Sequence, residues 1–366
     1  MMKGRKVNVY VFGAGASAHL GAPVTKEFMY QSFCLFRDAK VHGSYKIQDR
    51  PFRLTAQLID KLYGTNLEKL INDPLPDNYL TSINYLSSIN IEELLSFVDF
   101  GCRGGEKWLP FKEFQRALYE FIFTTLEEST IWKRADSVQI NKNGTLKHRR
   151  NCYDELIDHV ISIDEINCMI SFNYDLFLDK AAVINNPRID IVGNYHLPFK
   201  HIENFPDYEE RLRHGWKEKD IHLLKLHGSL NWGYCPHCKK VSLAFYQRYK
   251  SIFKNAVQNA KNQLEPILVP PTYFKDFPEP LANVWKVAED YLKRADRLII
   301  IGYSFPDIDI EAKWLFKRAI CKNTNKPSLT IVNPDKNIKK KIVNFFGNFI
   351  NQNVPRYNNF EEYIDP

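Results

Sequence analysis

Six short apolar runs constrain this chain more than any other feature: Val7 to Phe12, Cys168 to Phe172, Leu223 to Leu226, Ile267 to Val269, Leu298 to Ile301 and Leu329 to Val332. They are near-continuous rather than alternating, the pattern of strands covered on both faces in a parallel sheet. Helical patterns lie between them. Val284, Val287, Ala288, Tyr291, Leu292 and Ala295 recur at helical spacing just before the Leu298 run. Strands alternating with helices predict an α/β fold, a parallel sheet with helices on both faces.

One stretch breaks that rhythm. From about residue 45 to 160 no strand pattern stands out. Phe111, Phe114, Leu118, Phe121 and Ile122 share one helix face, and Asn90 precedes Ile91-Glu92-Glu93-Leu94-Leu95 as a candidate cap. A mainly helical insertion is expected there, within one domain spanning 1–366. A smaller insertion or loop region is expected at about 233–265. The aromatic share is 14%, so rings are expected to fill much of the core. Phe97, Phe100, Phe114, Phe121 and Phe123 cannot all share one helix face, so they either build the insertion's own core or meet another surface.

Composition narrows the class. With 44% hydrophobic and 25% charged residues, the chain reads as soluble and globular. No apolar run approaches the ~20 residues that span a bilayer, so no membrane is implied. Met1 to Lys6 shows neither the apolar stretch nor the cleavage site of a signal peptide, and a cytoplasmic protein is expected. The net charge of +7 is dispersed; the one dense cluster, Lys147-His148-Arg149-Arg150, reads as a solvated loop, and nucleic acid is not indicated. The seven cysteines are irregularly spaced and are expected to be mostly reduced and buried.

Five of the runs end in polar motifs. Gly13-Ala14-Gly15-Ala16-Ser17, followed by Gly21-Ala22-Pro23, comes directly after the first run. Glycines there permit a tight turn and close approach of a pyrophosphate, and a helix starting in the motif would offer unpaired N–H groups. No acidic residue ends a second strand where a hydride-transferring enzyme would hold its ribose. Ser171-Phe172-Asn173-Tyr174-Asp175 follows the second run. In an extended chain Asn173 and Asp175 share a side and could hold a ribose and a water; alternatively Asp175 caps the next helix. Lys225-Leu226-His227-Gly228-Ser229-Leu230-Asn231-Trp232 presents His227 as a candidate base. Gly302-Tyr303-Ser304-Phe305-Pro306-Asp307 and Val332-Asn333-Pro334-Asp335 complete the set, with Asp307 expected to cap a helix. Ligands of open α/β sheets bind along the C-terminal strand ends, where all five motifs would fall.

Taken in order, these residues resemble the sirtuin superfamily. Gly13, Ala14, Gly15 and Ser17 with the later Pro23 look like its nucleotide loop. Asn173 and Asp175 match its T-Q-N-x-D motif, His227-Gly228 its catalytic H-G, Gly302 and Ser304 its G-T-S, and Asn333 the Asn that contacts the adenine ribose. The resemblance implies a Rossmann-like NAD-binding fold. It gives Asn173 the attacking water and a ribose hydroxyl, His227 the base and Asp175 an orienting role. It gives Gly13, Gly15 and Ser17 the pyrophosphate, Ser304 a phosphate or ribose contact and Asn333 the adenine-side ribose.

S-F-N-Y-D, K-L-H-G-S-x-x-W, G-Y-S-F-P-D and I-E-E-L-L look like the prokaryotic sirtuin-like effectors of anti-phage defence, which hydrolyse NAD to ADP-ribose and nicotinamide. That branch implies NAD+ as substrate, a homo-oligomer and a separately encoded regulatory partner such as a ring-shaped HerA-type ATPase. A protein deacylase, an ADP-ribosyltransferase and a non-enzymatic NAD or ADP-ribose sensor are the alternatives. Pro270-Pro271 argues against the deacylase, because prolines interrupt the backbone ladder an acyl-lysine peptide would join. Deacylases also carry two C-x-x-C pairs on zinc, whereas this chain has one, Cys235 and Cys238. A closed zinc site needs four ligands, so bound zinc is not expected and the pair is a weak metal candidate.

Overall fold

A computed structural model describes residues 5–42, 49–72, 78–135, 138–140, 146–148, 150–185, 191–203, 221–235, 237–244, 265–269 and 279–365. Its contacts divide the chain into two units, one of residues 1–19 and 137–366, the other of residues 20–136.

The strands, in chain order, are β1 Val7–Phe12, β2 Val138–Ile140, β3 Leu146–His148, β4 Ile166–Ser171, β5 Phe199–Glu203, β6 Ile221–Lys225, β7 Gly228–Cys235, β8 Lys240–Ala244, β9 Glu265–Leu268, β10 Arg297–Ile301, β11 Ser328–Val332 and β12 Arg356–Tyr357. The principal sheet of the first unit is parallel, in the order β12-β11-β10-β1-β4-β6. Numbered by sequence within this sheet, that is 6-5-4-1-2-3, the doubly wound Rossmann order with its switch point between β1 and β10. Every residue of β1 is buried, as its near-continuous apolar run requires. The polar Asn8 on this strand is fully enclosed and donates to Asn167 Oδ1 at 2.9 Å. The helix Glu279–Arg294 buries Val284, Ala288 and Leu292 and packs on β1, β4 and β6.

The registers position the site. Lys225 pairs with Ser171, Ser171 with Phe12, Phe12 with Ile301, Ile301 with Val332, and Val332 with Tyr357. All six strands therefore end on one line across the sheet, and five of the chains leaving that line carry the polar motifs.

Two features differ from the sequence expectation. The run Ile267 to Val269 contributes to a second sheet, β5-β8-β7-β9, in which β9 lies antiparallel to β7. A run this short has the same apolar signature in either sheet. The sixth principal strand, β12, has two half-buried residues and no apolar pattern. It is joined to β11 by backbone bonds, Ile331 N to Pro355 O and Asn333 N to Tyr357 O, and by Arg356 Nη1 donating to Asn333 O at 2.7 Å.

The second unit is helical, with its longest helices at Phe28–His42, Asp49–Tyr63, Ile91–Gly104 and Phe111–Ala135. Its core is aromatic: the ring of Phe52 lies 4.8 Å from Phe121 and 4.9 Å from Phe36. Asn90 caps Ile91–Gly104, its side chain accepting from Glu92 N at 2.8 Å. Phe114, Phe121 and Phe123 are buried, whereas Phe97 and Phe100, three residues apart on one helix, are 41% and 50% exposed. The helix Cys152–Ser162 is part of the first unit, packed on Phe177–Asn185 and Phe360–Ile364. No helix among the described residues is long and apolar enough to cross a membrane.

Candidate functional site

The glycine motif leaves β1 at the switch point. Gly13 N donates to Ile301 O at 3.0 Å, and Gly15 N to Gly302 O at 3.1 Å. A Cβ on Gly13 would lie 2.6 Å from Tyr303 Cα; one on Gly302, at φ 65°, would lie 2.1 Å from Ala16 N. These glycines are required because two backbone turns meet there with no room for a side chain. The amides of Gly13 and Gly15 are thus engaged by the end of β10 and the turn after it. The motif also opens two 3₁₀ turns, Ala14–Ala16 and Ala18–Leu20, rather than an α-helix, so no helix macrodipole builds up behind it. Ala14 is half-buried and Gly15 exposed, leaving one backbone edge accessible. Pro23 lies buried in the helical unit, ahead of the turn Thr25–Glu27.

Ser17 gathers the next group. Its buried hydroxyl lies 2.7 Å from Tyr153 Oη and accepts from Asn173 Nδ2 at 3.3 Å, and it hydrogen-bonds Asp175. Asn173 Nδ2 also donates to Gly13 O at 2.9 Å, tying the second motif to the first. Asp175 caps the helix Phe177–Asn185 through Phe177 N, 3.1 Å from Oδ1. Asp175 and Asn173 therefore converge on Ser17. Burial pushes the Asp175 carboxyl above the usual carboxylate range, and the Lys225 cation opposes that shift. Burial likewise pushes the Tyr153 hydroxyl well up, so it remains a neutral donor.

Lys225, the last residue of β6, is buried. Its Nζ donates to Asp175 O at 2.5 Å and to Asp179 Oδ2 at 2.9 Å, and Tyr195 Oη donates to the other oxygen of Asp179. This ion pair ties the end of β6 to the segment that carries Asn173.

His227 follows two residues later and is buried. Its ring meets Phe172 edge-on at 4.9 Å and lies 6.3 Å from Tyr174, so it packs against the residues on both sides of Asn173. Nε2 lies 3.3 Å from Asp309 Oδ2. The backbone is clamped by Val269 N donating to His227 O at 2.9 Å. Gly228 takes φ 87°, and a Cβ there would meet Ile267 O at 2.0 Å, so only glycine lets β9 pass.

The remaining candidates sit at their strand ends with distinct roles. Ser304 is exposed. Asn333 is half-buried, and its Oδ1 accepts from Asp335 N at 2.9 Å in an Asx turn. Asp307 does not cap a helix; it is exposed and pairs with Lys313 and Lys341, while Asp309 caps Ile310–Ile320. Cys235 is buried at the end of β7 and Cys238 half-buried beyond a turn. Pro270 and Pro271 lie outside the described residues. Among the described residues one trio gathers three ligand atoms within 4.8 Å, and it is His19, Cys152 and Glu361, not the cysteine pair.

Tyr153, the Lys225–Asp179 pair and Asp309 were not singled out from sequence. A helix-start signal could have found Asp309, an Asp directly before Ile310-Glu311. Tyr153 carries no such signal beyond the capping box of Asn151 and Asp154 that opens its helix.

Residues 167–344 match the family model of the SIR2-like domain. This stretch holds Asn173, Asp175, His227, Gly302, Asp309 and Asn333. The match spans just under half of the chain. No curated protein matches the sequence. Among solved structures the chain is similar to a Sir2 in complex with an inhibitor, 2'-O-acetyl-ADP-ribose and a deacetylated peptide. Identity there is 15%, coverage 99% of this chain and 92% of that one, and TM-score 0.42. It is also similar to a Sir2 homologue variant with ADP-ribose, at 14% identity, 99% and 90% coverage and TM-score 0.40.

Proposed function

We propose that the chain hydrolyses NAD+, taking water to give nicotinamide and ADP-ribose with release of a proton. The observation that supports this reading best is the bond of Asn173 Nδ2 to Gly13 O, with the His227 imidazole packed against Phe172 and Tyr174 on either side of that asparagine. It puts an amide and an imidazole beside a glycine turn at the switch point of a Rossmann-order sheet.

Pyridinium is already a good leaving group, so the protein's tasks are to orient the ribose, exclude stray water and position one attacking molecule. With Nδ2 committed to Gly13 and Ser17, Asn173 Oδ1 is the amide atom left to accept from a water or a ribose hydroxyl. His227 takes the proton, from water directly or through a ribose hydroxyl, and a positioned base is typically worth about a hundredfold to ten-thousandfold. Asp175 orients Asn173 through Ser17. Exposed Ser304 and the accessible edge at Gly15 are the groups that would meet the phosphates, and Asn333 would meet the adenine-side ribose.

The reading extends to biology: a cytoplasmic effector that depletes NAD in phage-infected cells, working as a homo-oligomer under a separately encoded partner such as a ring-shaped HerA-type ATPase. Incubation with NAD+, with and without an acyl-lysine peptide and a protein acceptor, tests the chemistry. Nicotinamide and free ADP-ribose in equal amounts without either addition are expected. Strict dependence on the acyl peptide would make the chain a deacylase, label on the acceptor a transferase, and binding without turnover a sensor.

A further inference from the structure

We infer that Asp309 is the positioning residue for His227: its carboxylate faces Nε2–H as the acceptor, holding the imidazole in the tautomer whose Nδ1 is the base. The inference rests on the reading of His227 as base given above.

Asp309 is fully enclosed and His227 is 3% exposed, so solvent does little to hold this imidazole. A neutral imidazole carries one N–H, and an ionised carboxylate only accepts. At 3.3 Å between Nε2 and Oδ2, the compatible arrangement places the imidazole proton on Nε2. The carboxylate itself is fixed at both ends. Oδ2 also accepts from Tyr303 Oη at 2.9 Å, and Oδ1 accepts from Ala312 N at 3.4 Å as the cap of Ile310–Ile320. Two donors, Tyr303 Oη and Ala312 N, thus hold the carboxylate beside the imidazole.

Tyr303 acts twice. Besides donating to Asp309, its ring stacks on Phe172 at 4.2 Å and 9°, and Phe172 meets the imidazole edge-on at 74°. The ring plane and the tautomer are therefore set from one loop. That loop turns back at Phe305, whose φ of 50° is a conformation a bulky residue seldom adopts. Phe305 is held there by packing on Tyr303, Phe316, Phe345 and Phe346. The turn brings Asp309, rather than the exposed Asp307, to the imidazole. A carboxylate that fixes tautomer and orientation in this way is a known partner of catalytic histidines.

The test uses the full chain and two readouts. Long-range nitrogen–proton correlation spectra at pH 8, above the usual imidazole range of about 6.5, report each histidine tautomer; the signals absent from His227→Gln belong to His227. The parent is expected to show Nε2–H. Asp309→Asn keeps the size and the helix cap, since Asn caps as well as Asp, but its amide can donate to Nε2, so the tautomer is expected to shift to Nδ1–H. In NAD+ cleavage Asp309→Asn is expected to lose about 100-fold to 10,000-fold in kcat, with KM changed by less than about threefold. An Nδ1–H tautomer in the parent overturns the inference with no variant needed. A parent-like tautomer and kcat in Asp309→Asn, beside an inactive His227→Ala, also overturns it and leaves the hydrolase reading intact. A parent that shows Nε2–H but cleaves no NAD+ overturns the hydrolase reading alone.

Discussion

Replacing Lys225 by methionine removes the one cation shown paired with Asp179 while keeping the length and apolar stem of the side chain. Both groups are 1% exposed, so water cannot take over from the lost partner. Breaking a buried pair from one side costs about 3–5 kcal/mol, because the remaining charge stays buried and uncompensated. Asp175 O also loses its donor at 2.5 Å, but the two losses share one nitrogen and do not add. We expect a loss of about 4 kcal/mol, a large part of the 5–15 kcal/mol typical of a folded domain. At a slope of about 3 kcal/mol/M the urea midpoint falls by roughly 1 M. The double variant Lys225→Met with Asp179→Asn leaves no unpaired charge and keeps an acceptor for Tyr195; it is expected to recover about 2 kcal/mol or more. Urea titration of parent, both single variants and the double variant, followed by circular dichroism, gives the interaction energy. A single variant within about 0.5 kcal/mol of the parent would refute the reasoning, since that is the behaviour of an exposed pair.

Three further outcomes follow from the geometry. Gly302→Ala puts a Cβ against the Ala16 amide at a left-handed backbone position, so it should lower the melting temperature and weaken calorimetric NAD+ binding together; parent-like values of both would remove the turn-to-turn packing as the reason for the glycines. Asp175→Asn keeps the helix cap and removes a buried carboxyl whose pKa is raised in the folded state. Such a group favours folding fully below its unfolded value and loses that contribution as pH rises through the folded value, so the variant should gain on the parent in urea midpoints as pH rises above the usual carboxylate range of about 4. A gap that stays constant or narrows with pH contradicts the assignment. Light scattering at micromolar concentration should give a multiple of the monomer mass, because Phe97, Phe100 and Trp108 expose apolar surface on the helical unit; a monomer would count against the proposed assembly.

The principal sheet and its edge were legible because parallel strands covered on both faces must be apolar throughout, and each ended where a glycine or polar residue took over. Asn90 was legible as a cap for a similar local reason: the residue and its apolar helix are adjacent in sequence. What sequence could not supply depends on where the chain turns. Asp307 and Asp309 are equally good caps on paper, and the turn at Phe305 decides between them. Lys225 reads as an ordinary charged strand end until Asp179, forty-six residues earlier, closes over it. The glycine motif was legible, but the backbone of Gly302 and Tyr303 that packs against it, almost 300 residues later, was not. β12 has no apolar pattern to read, because an edge strand of two residues is set by its neighbour's hydrogen bonds.

In the proposed chemistry this sheet edge cleaves the nicotinamide–ribose bond with Asn173 and His227. A time course of nicotinamide and ADP-ribose from NAD+ alone, using equal amounts of folded parent, Asn173→Ala and His227→Ala, tests it most directly. Both side chains are buried and bonded or ring-packed, so the melting temperature of each variant is read beside its activity. Equimolar products are expected from the parent and at least a hundredfold slower release from each variant; parent-like release from either variant at an unchanged melting temperature would overturn the assignment.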